Sequence, residues 1–130
     1  MDTQLMNSSE LHSEHVQWNK TLKSWRNEIN SFQDKLGEVV STNTDKDFLI
    51  ELAELENNCI IHKEKINRLQ DSLKTHDLSF IRQTEGHNDA ITTMDVESHN
   101  EIKERIETEL SLYDELKKDF NSFLNKYVNS

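Results

Sequence analysis

Six histidines stand in a chain of 130 residues, and most of the chemistry this sequence offers lies with them. His12 and His15 form an HxxH pair, one helical turn apart and on the same side of a helix. His76 and His99 come much later, each at a position where a regular hydrophobic spacing calls for an apolar residue, and His87 lies between them. Carboxylates accompany these residues: Glu10 and Glu14 beside the first pair, Asp77 beside His76, Asp95 and Glu97 before His99. Asp95 and His99 are one helical turn apart and can face one site together. Imidazoles joined by one or two carboxylates are the donor set that suits zinc, iron, copper, nickel or manganese. Carboxylates that do not touch the ion can orient the rings through their second nitrogen. The candidate ligands are therefore His12, His15, His76 and His99, with Glu14, Asp95 and His87 beside them. The competing structural role is a hydrogen-bonded His/Asp/Glu plug, because a buried imidazole is costly unless its ring nitrogens find partners.

These side chains need helices to position them. Leu11, His15, Trp18, Leu22, Trp25, Ile29, Phe32 and Leu36 follow one another in alternating steps of four and three, which makes one stripe of a helix. A second stripe runs Phe48, Leu52, Leu55, Cys59, His62, Ile66, Leu69, Leu73 and His76. A third runs Asp95, His99, Ile102, Ile106, then Glu109 or Leu110, Tyr113, Leu116, Phe120, Phe123 and Tyr127. Ser8 and Ser9, Thr44 with Asp47, and Thr92 with Asp95 supply capping residues at the three starts. The spacing predicts an all-α single domain over 1–130, with helices over about 9–40, 45–77 and 95–128. The connection at 78–94 is expected to be a loop carrying one short helix or lid in 78–93. Short connections between long helices favour antiparallel neighbours, so the bundle is expected to run up, down, up. That topology gathers His12, His15, His76, His87 and His99 at one end. Trp18, one turn inward from His15, is expected to wall them from the rest of the core. His62 stands apart. With Cys59 at i, i+3 it reads as a hydrogen-bonded histidine beside a buried thiol, with Glu109 and Glu28 within reach.

Composition removes much else. There is no proline, there are two glycines and one cysteine, and the net charge is −10 with pI about 5.0. So few turn residues argue against a many-hairpin β fold. Two glycines cannot spell a phosphate-binding loop, and one cysteine cannot form an internal disulfide. The acidic field repels phosphate backbones, which argues against nucleic acid as a partner. No apolar run of membrane-spanning length is visible, and the MDTQLMNSSE start lacks a signal-peptide order, so a cytoplasmic protein with no membrane contact is expected. No serine sits on a strand-to-helix elbow, and Cys59 lacks an activating setting, so nucleophilic catalysis finds no support. Neither the Glu-x-x-His pair of ferritin-like di-metal sites nor the full set of hemerythrin-like spacings occurs.

The stretches Leu11-His-Ser-Glu-His-Val-Gln-Trp18, Ser41-Thr-Asn-Thr-Asp-Lys46 and Ile61-His-Lys-Glu-Lys-Ile66 resemble a group of small, mostly uncharacterised helical-bundle proteins of Bacteroidota with an LHxEHxxW start. The resemblance implies a bundle and a histidine site, and it assigns no reaction. His12, Glu14, His15, His76 and His99 match positions that the group keeps as histidine or glutamate. Before the last helix, where the group resembles HxHFxDH, this chain reads Thr92-Thr-Met-Asp-Val-Glu-Ser-His99. Two functions fit the whole sequence. One is a bundle that binds a transition metal ion (zinc, iron, copper or manganese) for storage, sensing or redox use. The other is an acidic helical scaffold that acts through self-association or a protein partner without metal.

Overall fold

The computed structural model describes residues 8–85 and 93–129, and side chains within 10–76 and 96–129. It is all-α. Three helices, α1 (Ser8–Val39), α2 (Lys46–Glu85) and α3 (Thr93–Tyr127), pack against one another, and no strand occurs among the described residues. None of the described helices is long and apolar enough to cross a membrane.

The turn between α1 and α2 shows how local chemistry sets the ends. The Thr42 amide and hydroxyl both donate to the Val39 carbonyl, at 3.0 and 2.6 Å, which satisfies an acceptor that the end of the helix leaves without an internal donor. Asn43 Oδ1 then accepts from the Asp45 amide at 2.8 Å, an Asx turn. The Asp45 carbonyl takes the amide of Leu49 at 3.1 Å and so opens α2. Asn43 organises this turn, where the spacing suggested Thr44 and Asp47.

α2 continues to Glu85, beyond the expected stop at 77. Residues 78–85 contain neither glycine nor proline, so nothing in them breaks the helical ladder, and Gly86 is the first residue that disfavours it. That part of the expected connection is thus helix. The expected short fourth helix or lid otherwise falls at 86–92, outside the described residues. α3 opens at Thr93, two residues before the predicted start at 95.

The chain divides into two compact units, each made from a piece of every helix. The first comprises 1–23 and 67–108, the second 24–66 and 109–130. In the second unit the three stripes meet as an aromatic core. Trp25 stacks on Tyr113 with ring centroids 5.3 Å apart, Phe32 on Phe120 at 4.3 Å, and Phe48 packs against Phe123 at 5.4 Å. Burying an aromatic or large aliphatic side chain contributes roughly 1.5–3 kcal/mol. Ile29, Leu36, Leu52, Leu55 and Leu116 are buried among these rings. In the first unit the buried set among the described residues is smaller and carries no aromatic residue apart from histidine: Leu11, Leu22, Leu69, Leu73, Ile102 and Ile106 with three histidines.

Candidate metal centre

Each of the three buried histidines belongs to a different helix. His15 lies four residues after Leu11 on α1, His76 three after Leu73 on α2, and His99 three before Ile102 on α3. Those steps keep each imidazole on the apolar stripe of its own helix, and the first unit brings the stripes together. The residues are 3%, 9% and 1% exposed respectively. The His15 ring meets the His76 ring edge-on with centroids 4.9 Å apart, and the His99 ring at 5.1 Å. One nitrogen from each of the three residues lies within 4.8 Å of the others.

A carboxylate fixes the order of the hydrogens. His99 Nε2 is 2.6 Å from Glu14 Oε1, and His99 Nδ1 is 3.1 Å from His15 Nε2. Burial pushes the His99 pKa below the ordinary histidine value. The hydrogen bond and charge of Glu14 oppose that shift, while the positive forms of His76 and Lys103 add to it. The His99 ring is thus neutral and has one N–H. A carboxylate oxygen accepts, so that hydrogen is on Nε2 and points at Glu14. Nδ1 is left with its lone pair directed at His15. Without a metal, His15 Nε2–H donates to it. With a metal, the same two nitrogens can both be donors to the ion, the His15 hydrogen residing on its other nitrogen. Their 3.1 Å separation is close to the roughly 3.3 Å expected between two nitrogens bound at about 2.0–2.1 Å to a tetrahedral ion. Glu14–His99 then has the form of the carboxylate–histidine pair that orients a metal-bound imidazole.

Trp18 covers this group. Its ring stacks on His99 with centroids 4.6 Å apart and an interplanar angle of 28°, and approaches His15 at 5.9 Å. The indole holds the His99 plane and supplies an apolar wall, which restricts water at such a centre.

The other residues expected at the site have different places. His12 is exposed on α1 and does not join the three. Glu14 is half-buried and meets the far nitrogen of His99. Asp95 is in the first turn of α3, but its side chain lies outside the described residues, as does the whole of His87. The spacing offered Glu14 as a ligand and did not indicate that it would meet His99. Glu14 is one residue off the α1 stripe, and only the approach of α3 shows which ring it faces.

In the second unit the remaining histidine is held differently. His62 Nδ1 is 2.7 Å from Glu109 Oε2, and Glu109 is buried while Leu110 is exposed. The pair resolves the choice between the two residues for the α3 stripe. A buried carboxylate needs a partner, and His62 provides it. Burial, helped by Glu56 and opposed by Lys63, pushes the Cys59 thiol up to about 11, so it is an inert core residue at neutral pH. Among the described residues, Cys59, His62 and Glu109 do not form a metal-sized group. The Tyr113 hydroxyl donates to Glu28, and Lys117 approaches the same carboxylate at 3.6 Å.

Comparison with protein-family models, with curated proteins and with solved structures finds no match to this chain.

Proposed function

We propose that this chain is a metal-binding helical bundle, running antiparallel in up-down-up order, in which His15, His76 and His99 hold one transition metal ion for storage or sensing. The antiparallel order is supported by the contacts of His76, late in α2, with the first part of α3, and of Phe48, early in α2, with the last part. The metal reading is supported above all by three buried imidazole nitrogens within 4.8 Å of one another. Imidazole donors suit zinc, copper, iron and nickel. Manganese, offered by the sequence while carboxylates counted as ligands, is disfavoured when the nearby carboxylate faces a ring nitrogen. Glu14 holds the tautomer that presents His99 Nδ1 to the ion, and Trp18 keeps the ring plane in place.

The rival is a hydrogen-bonded plug, in which the His15–His99–Glu14 chain serves packing alone. Metal analysis separates the two. Untagged protein from a metal-replete culture is expected to hold about one equivalent of metal per chain by mass spectrometry, and the His15→Ala/His76→Ala double variant almost none. Wild-type protein with far less than one equivalent, unchanged in the variant, would leave the plug as the better reading.

A further inference from the structure

We propose that the metal-loaded trio takes a small carboxylate anion as its fourth ligand, seated in the cavity beside His15. The proposal rests on the metal reading above. Three neutral imidazoles add no charge, so a divalent ion keeps both of its positive charges. An uncompensated charge in buried surroundings is costly. Glu14, in contact with the His99 ring, offsets one of them. One positive charge remains, and a monoanion neutralises it. An ion with three protein ligands also keeps a position for water or an incoming ligand. Hydroxide formed from bound water is the default occupant. A carboxylate oxygen competes for the same position with the same charge balance and breaks no covalent bond.

Among the described residues, one cavity touches the trio at His15 and another at His76, and their described linings differ in charge. One, of about 220 Å³, is lined by His15, Val16, Asn19, Leu73 and Lys74. It offers an ammonium and a side-chain amide as donors, has no carboxylate among its described lining residues, and presents Val16 and Leu73 to a short alkyl group. The other, of about 490 Å³, reaches His76, but Asp71 and Glu101 stand in its wall. Its guanidinium among the described residues, Arg105, donates to Ser72 Oγ at 3.2 Å. Two carboxylates against one guanidinium repel an anion, so the Lys74 side is the seat. The match of one cation, one amide and two apolar side chains fits a short-chain carboxylate such as acetate or propionate.

Cobalt(II) gives this proposal a visible readout, because its d–d absorption changes with the ligand set. Metal-free protein is loaded with one equivalent of cobalt(II) and titrated with sodium acetate at constant ionic strength, held with perchlorate. A saturable spectral change is expected. Lys74→Gln, at an exposed position, should raise the acetate dissociation constant about fivefold while cobalt affinity stays within about twofold. Three results would overturn parts of this separately. No cobalt binding removes the metal reading itself. Cobalt bound with a spectrum that acetate does not move removes the anion and leaves the metal. Saturation with an unchanged constant in Lys74→Gln removes the Lys74 cavity as the seat.

Discussion

The two units fill their interiors from the same three helices by opposite means. In the second, rings stack on rings, and buried polar groups find partners: Glu109 in His62, and the Tyr113 hydroxyl in the exposed Glu28 carboxylate. In the first, the described aliphatic residues surround three imidazoles, and the Glu14 carboxylate meets the His99 ring. The second unit is therefore held chiefly by apolar and aromatic burial. The stability of the first depends on what sits between its histidines. A seam that gives up three apolar positions to imidazole forgoes burial it would otherwise have; on the proposed reading it answers to protons and metal ions instead.

That contrast can be tested, beginning with the largest effect. Phe48 is fully buried against Phe123 and Tyr127, and Phe48→Ala should cost about 3–5 kcal/mol in urea unfolding. The cost should be the same with zinc or with chelator. A zinc-dependent cost would mean that the two units do not respond separately. Free zinc at about a hundred times its dissociation constant should stabilise the wild type by about 2.7 kcal/mol, and His76→Ala should lose that gain in matched melts. Glu14→Ala should weaken zinc about 10- to 100-fold by calorimetry, the usual penalty for losing the group that orients a metal-bound histidine. An unchanged affinity would show that Glu14 does not set the tautomer.

Acidification bears on the metal-free protein. The His99 pKa is lowered in the fold from its ordinary value of 6.5, so the unfolded chain takes up its proton first. The stability tied to His99 is whole above that value and is lost as pH falls below it towards the folded value. Urea midpoints between pH 7.5 and 5 should decline in the wild type and decline less in His99→Asn. Equal slopes would assign the acid sensitivity elsewhere. The smallest effect has the opposite sign. A Cβ at Gly37 meets nothing within 4 Å, and the residue lies inside α1. Gly37→Ala should therefore stabilise the second unit by about 0.5–1 kcal/mol, with no influence on zinc affinity.

The helices were legible because their stripes repeat over many turns, and His15, His76 and His99 were legible because each interrupts a stripe at a position that must face inward. Three features were not. α2 runs past the stripe that ends at His76, because residues 78–85 carry no glycine or proline even though their apolar spacing is irregular. The choice of Glu109 over Leu110 runs against hydrophobicity and is made by a partner on another helix, His62. The bond from Glu14 to His99 has no local signature, since it depends on how two helices are rotated against one another. Long-range polar pairing of this kind is settled in three dimensions, after the apolar stripes have brought the helices together.

The His15–His99 pair spans 84 residues of sequence, and each of the three imidazoles comes from its own helix. During synthesis a ribosome that has released α1 and α2 has made two of the three. A nascent or truncated chain ending before His99 holds an incomplete set, so on the proposed reading tight capture of an ion would wait until the part of α3 that carries His99 has emerged and docked. An ion held there closes a loop of most of the chain, and clips across long loops restrict the unfolded ensemble most. On the proposed reading, metal occupancy would report that the chain has been made as far as α3 and assembled around His99.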